Sequence, residues 1–159
     1  MLSTNESGSW IFFDAGLFIG GLLNGDSRYA EAYPLVEAAR RGELAVCTSA
    51  GVLSEVYAAL TWVGSQPPQT PQVASQAIKL LVEAPSAIRV LETNLTAALK
   101  MLELAANHQL TARRVHDARH VATALVAGVN QIYTYDIEDW RVFEPDGIVI
   151  LGPQSVLSS

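Results

Sequence analysis

Four acidic residues stand where packing alone does not ask for them. Asp14 follows the apolar run Trp10-Ile11-Phe12-Phe13, and Asp136 follows Gln131-Ile132-Tyr133-Thr134-Tyr135. Apolar runs without alternation suit strands covered on both faces. In open α/β sheets, ligands bind beyond the carboxyl ends of such strands. Glu55 sits among Leu53, Val56, Leu60 and Trp62, and Asp117 borders the stripe Ala118, Val121, Ala122, Leu125; both stretches have helical spacing. Each acid has a plain structural account: an Asp after a strand caps the next helix, Glu55 lies on the polar side of its helix, and Asp117 complements a helix dipole. Together they are harder to explain. Carboxylates 5 Å apart repel by roughly 3 kcal/mol at an effective dielectric near 20, so four converging in one crevice require a cation. Mg²⁺ or Mn²⁺ takes such oxygens as ligands. A site of that kind activates a water and steadies the leaving oxygen in phosphoryl transfer.

The elements that must position these acids alternate. A strand at 10–14 is followed by a short helix interrupted by Gly20 and Gly21, then the turn Asn24-Gly25-Asp26. Ser27 is placed to cap a helix that buries Ala32, Leu35, Val36 and Ala39 and ends at Gly42. A strand at 44–48 leads into a helix over 50–63 with Leu53, Val56, Tyr57 and Leu60 on one face. The proline-rich stretch 64–72 reads as a loop and is followed by a helix to Val82, a strand at 87–91, and a helix capped by Asn94 that carries Leu95, Leu99 and Leu102. A helix over 115–128, a strand at 131–135 and a strand at 147–151 complete the order. This alternation predicts an α/β fold, a three-layer α/β/α sandwich around a small parallel central sheet. The expected organisation is a frayed tail at 1–9, one domain over 10–151 and a C-terminal tail at 152–159.

Composition sets outer bounds. With 159 residues, half of them hydrophobic, the chain suits one compact domain. It has no apolar stretch long enough to cross a bilayer and no basic segment followed by an apolar run at its start, so no signal peptide is expected. The single cysteine, Cys47, has no partner for an internal disulfide, and a cytoplasmic location is expected. The formal charge of −6 argues mildly against a protein that holds nucleic acid by phosphate neutralisation alone. A carboxylate cluster that binds metal would itself make a chain acidic.

Three segments in order, the stretch 10–23 from Trp10 through Asp14 and Gly16 to Leu23, then the stretch 48–60 around Glu55, then the stretch 116–140 from His116 to Trp140, resemble a PIN domain. Within that family the chain is most similar to VapC-type toxins of toxin–antitoxin pairs, and the stretch 117–136 is the most specific part. The resemblance implies that Asp14, Glu55, Asp117 and Asp136 bind Mg²⁺ or Mn²⁺, that Thr134 is a hydroxyl hydrogen-bonding within the site, and that Asp139 reaches the metal through water. It implies a metal-dependent endoribonuclease, a homodimer and a small antitoxin partner. One departure stands out: the family often has Ser or Asn two residues after the first Asp, and this chain has Gly16. A hydrogen bond is then missing, or a water replaces it.

Other readings compete. His116-Asp117-Ala118-Arg119-His120 resembles the His-Glu-x-x-His helix of zinc peptidases, but that reading leaves Asp14 and Glu55 without a role. His116 and His120 read either as a polar helix edge or, together with Arg119, as RNA contacts, and Arg113 and Arg114 either as a solvated loop or as phosphate contacts on the rim. Trp10, Trp62 and Trp140 are assigned to core or dimer packing. A PIN-fold module that has lost catalysis and only pairs with a protein partner is the alternative to the nuclease. A dinucleotide-binding domain is disfavoured, because no glycine-rich phosphate loop follows the first strand.

Overall fold

The computed structural model describes residues 10–65 and 67–157; the tail expected at 1–9 lies outside them. In chain order the elements are β1 (Ile11–Phe13), α1 (Ala15–Leu22), α2 (Tyr29–Arg40), β2 (Val46–Ser49), α3 (Ala50–Thr61), α4 (Pro71–Val82), β3 (Arg89–Leu91), α5 (Leu95–Asn107), α6 (Val115–Val126), β4 (Gln131–Tyr133), α7 (Ile137–Arg141), β5 (Val149–Gly152) and α8 (Gln154–Leu157). Two 3₁₀ turns, Ala112–Arg114 and Glu144–Asp146, precede α6 and β5.

The five strands form one parallel sheet in the order β3-β2-β1-β4-β5, flanked by helices as an α/β/α sandwich. Phe12 lies between Cys47 on β2 and Ile132 on β4, and all three are fully buried. Each such side chain contributes about 1.5–3 kcal/mol on leaving water, so the central register is tightly specified. From β1 the chain runs outward through β2 and β3 and then returns to build β4 and β5 on the other side. The order therefore reverses at β1, and Asp14 leaves the sheet at that reversal.

Local chemistry explains where the elements begin. The Ser49 hydroxyl accepts from Val52 N–H to start α3, Thr70 does the same for Val73 at α4, and Asn94 for Ala97 at α5. The N-terminus of α2 differs from expectation: Ser27 makes no cap, and Asp26 Oδ1 instead accepts from Arg28 N–H at 2.8 Å. Two faces are also rotated from the sequence reading. α3 buries Val52, Val56 and Leu60 while Tyr57 is exposed. α5 buries Ala97 and Leu104, leaving Leu95, Leu99 and Leu102 74%, 58% and 56% exposed. Residues 152–157 carry regular structure: Gly152 completes β5, α8 follows, and Glu31 accepts from both Ser155 N–H and its hydroxyl.

Candidate active site

Asp14 is built into the junction of two strands. Its N–H donates to Tyr133 C=O at 3.0 Å, which extends the β1–β4 ladder by one residue. That fixes the carboxylate at the floor of the crevice, only 5% exposed. Oδ1 accepts from Ala15 N–H at 2.8 Å, so Asp14 does cap α1, and Oδ2 accepts from the Thr134 hydroxyl at 2.8 Å. Thr134 is itself fully buried, and its oxygen accepts from Asp136 N–H at 3.0 Å. One hydroxyl thus ties the first acid to the loop bearing the last. Burial pushes the Asp14 carboxyl above its usual range, against the pull of His120, Thr134 and Ala15 N–H, and Glu55 adds to the rise.

Glu55 reaches the same place from α3. Its Oε1 accepts from His120 Nε2 of α6 at 2.7 Å. The imidazole is 2% exposed, the Glu55 side chain 40%. Asp14, Glu55 and His120 each offer a ligand atom within 4.8 Å of the others. Around this inner group stand the remaining acids. Asp136 is exposed as a residue, yet partial desolvation of its carboxyl raises its affinity for protons, and the charges of Asp14, Asp139 and Glu55 add to this while Arg28 opposes it. Asp117 is raised in the same direction, first by desolvation and then by Asp139, with Arg114 opposing. Asp136 makes no side-chain cap for α7. A cap therefore accounts for part of Asp14 and for none of Asp136.

The basic residues are placed unevenly. Arg114 Nε donates to Asp117 Oδ2 at 3.2 Å and its Nη2 to Asp139 C=O at 3.1 Å, so it braces the rim. Arg113 and His116 are exposed. Arg119 lies against α3: a Cβ on Gly51 would fall 2.6 Å from its Nη2, and its buried Nε has no hydrogen-bond partner among the described residues. Arg119 thus packs against α3, and His120 is turned inward between α6 and α3 and does not lie on a polar helix edge. His116 is absent from the inner group, which removes the paired-histidine zinc arrangement among the described residues. His120 is the member of that group that sequence reasoning did not place there. Its signal was its position one turn after Asp117 on α6, a helix that buries Ala118 and the whole run 120–124.

The donor set fits a hard divalent cation. A fully desolvated carboxylate, a second carboxylate at its side and three more acids in electrostatic reach leave an excess of negative charge that the nearby arginines do not balance.

A family model described as PIN domain matches residues 11–142. No curated protein matches the chain. Among solved structures, VapC20 of Mycobacterium tuberculosis, described as a toxin that cleaves the sarcin–ricin loop, superposes with a TM-score of 0.66 at 21% identity over 90% of this chain and 99% of that one. FitAcB of Neisseria gonorrhoeae gives 0.63 at 15% identity, covering 90% and 97% of the two chains. VapBC-1 of nontypeable Haemophilus influenzae gives 0.62 at 17%, covering 89% and 96%. At these identities the likeness speaks for the fold.

Proposed function

The chain belongs to the PIN domain family, and from that premise we propose that it is a Mg²⁺- or Mn²⁺-dependent endoribonuclease, the toxin of a toxin–antitoxin pair. The observation that carries this reading is the buried Asp14 carboxylate beside Glu55, with Asp136, Asp139 and Asp117 around it at the carboxyl end of the sheet. Asp14 and Glu55 would hold the metal directly, and Asp117, Asp136 and Asp139 would complete the site directly or through water. Such a cation lowers the cost of forming hydroxide at neutral pH and neutralises charge on the phosphate.

The chain's own residues do the rest. Thr134 and Ala15 N–H fix the Asp14 carboxylate in one orientation. His120 holds Glu55, whose side chain would otherwise be free to swing toward solvent. Arg114 ties the Asp117 carboxylate to the Asp139 backbone carbonyl. Acceptors held in fixed orientation are what an in-line displacement at phosphorus needs from a protein.

Two of the structural neighbours are described as a toxin–antitoxin complex and as a member of a family of toxin–antitoxin systems, which supports a small protein partner for this chain. Leu95, Leu99 and Leu102 at helical spacing on α5 leave an apolar stripe that suits a homodimer contact. No helix among the described residues is long and apolar enough to cross a membrane, in keeping with action on cytoplasmic RNA. Incubation of the purified chain with single-stranded RNA and tRNA, with Mn²⁺, with Mg²⁺ and with chelator, tests the reading. Cleavage that requires metal is expected. No cleavage of any RNA with either metal favours the non-catalytic binding module instead.

A further inference from the structure

Arg28 belongs to no element that the acids require, yet its side chain is led to them. α1 carries Gly16 and Gly20 on one face, four residues apart. A Cβ at Gly20 would lie 3.0 Å from Arg28 Cβ, and a Cβ at Gly16 would lie 3.0 Å from Arg28 Nη1. The two glycines form a trough along which the Arg28 stem runs toward the start of α1, ending two residues from Asp14.

The guanidinium is held on one edge and one face. Its Nε donates to Asp26 Oδ1 at 2.9 Å and its Nη2 to Asp26 Oδ2 at 2.8 Å. Its Cζ sits 5.4 Å from the centre of the Tyr135 ring, over the ring face, and that ring is fixed because the Tyr135 hydroxyl donates to Glu31 at 2.7 Å. Among the described residues Nη1 makes no hydrogen bond. A clamped guanidinium with its one free edge toward a site for phosphodiesters is pre-organised for a phosphate oxygen. Simple charge balance for the acids is the weaker account, since Asp26 already matches the arginine's charge. Beyond Arg28 lies an open groove of about 400 Å³ walled by Ile19, Leu23, Ala59 and Trp62. Trp62 is 64% exposed there and offers a face on which a base can stack.

We propose that Arg28 anchors the RNA phosphate next to the scissile one, and that Gly16 is glycine to let it through. This rests on the nuclease reading above. It also gives the departure at Gly16 a purpose: the arginine donor occupies the place where a small polar side chain would stand. Gly16→Ser would put a Cβ and a hydroxyl against Nη1 and against Tyr135, whose Cδ2 is 3.3 Å from that Cβ. The flexible arginine end is the partner that gives way.

The test uses the full chain and a single-stranded RNA bearing the mapped cleavage site. Binding is measured by anisotropy with Ca²⁺ in place of Mg²⁺, and each phosphate in turn is replaced by a neutral methylphosphonate. The wild type should lose affinity about tenfold at a phosphate flanking the cleaved one, as expected for one charge-assisted contact. Arg28→Gln should bind about tenfold more weakly and be indifferent to that replacement. Gly16→Ser should behave the same way with no charge removed, and the double variant should be no worse than either single one. In turnover, both should raise KM more than they lower kcat, because a contact to bound substrate is lost. A wild type and Arg28→Gln with equal RNA affinity would overturn the proposal alone. So would an Arg28→Gln protein whose only change is tighter Mn²⁺ binding, which would make Arg28 a counter-charge for Asp136. A wild type that neither binds nor cleaves RNA would overturn the nuclease reading, and this inference with it.

Discussion

The molecule contains two histidine–carboxylate pairs of nearly the same length. His120 Nε2 meets Glu55 at 2.7 Å, and His108 Nε2 meets Asp146 at 2.6 Å. Both rings are largely buried, and both join a helix to another element. Their surroundings differ. The His120 pair has Asp14 within ligand distance and further acids behind it. The His108 ring packs edge-on against Phe143, its centre 5.4 Å away, at the end of α5, where His108 N–H closes the helix on Leu104 C=O. A short imidazole–carboxylate contact is therefore no mark of a site by itself. What separates the two is whether the local charge balances, and unbalanced buried charge is what a cation or a reaction can use.

The sharpest way to break that contrast is to neutralise one acid in each region. Asp14→Asn should lower RNA cleavage by at least about a hundredfold, because a neutral amide is a poor ligand for a hard cation. The same change should raise the stability of the metal-free protein by about 1–3 kcal/mol, since it removes one of several repelling charges. Added Mg²⁺ should stabilise wild type and do little for the variant. Asp146→Asn should do the reverse in each respect: cleavage kept, and stability lowered by about 1 kcal/mol through a weakened hydrogen bond. Melting curves with chelator and with Mg²⁺, beside a cleavage assay, check both. An Asp14→Asn protein that melts below wild type in chelator would make Asp14 an ordinary cap.

The histidines provide a smaller contrast. His120→Ala frees Glu55 and should weaken Mn²⁺ binding roughly tenfold, as loss of a group that orients a ligand does elsewhere. His120→Gln keeps a donor near the Nε2 position and should recover much of that affinity. His108→Ala should cost about 1 kcal/mol of stability and leave Mn²⁺ affinity unchanged. Titration of Mn²⁺ by calorimetry reads all three. Equal metal affinity in His120→Ala and wild type would reduce His120 to packing.

Much of the architecture could be read from pattern. Continuous apolar runs marked buried strands because both faces of a parallel sheet are covered, and Asp14 and Asp136 drew notice because acids at strand ends face the crevice. Helical phase was harder. Leu95, Leu99 and Leu102 keep helical spacing, but it is Ala97 and Leu104 that turn inward, since a stripe of leucines does not say which partner covers it. The same limit hid His120: α6 is buried almost all round, so polar side chains such as His120 and Thr123 go inside with the apolar ones. Arg28 had no sequence signal, because its path depends on two glycines of the preceding helix facing it across a turn.

The smallest effect should appear in the pH dependence of stability, where its sign is unusual. Burial and mutual repulsion raise Asp14, Asp136 and Asp117 above their usual values in the folded state. A carboxyl raised on folding favours the native state when protonated. Its contribution is complete below the unfolded value of 3.8 and is lost as pH rises through the folded value. Asp26 and Glu31 work the other way: Arg28 lowers the first, and against its partial burial hydrogen bonds from Ser155 and Tyr135 lower the second, so their contributions are present above the unfolded values and lost on acidification. Three acids stand against two, and Asp26 and Glu31 lose their contribution only toward the acid end, so the metal-free protein should melt higher at about pH 5 than at about pH 7, by the equivalent of about 1 kcal/mol. Saturating Mn²⁺ should reverse the trend, because protons then compete with the ion for the same oxygens. Asp14→Asn should shrink the metal-free trend, while Asp146→Asn should leave it intact. Metal-free wild type whose melting temperature instead climbs from pH 5 to pH 7 would mean that these carboxylates do not repel, and the contrast between the two histidine pairs would fail with that result.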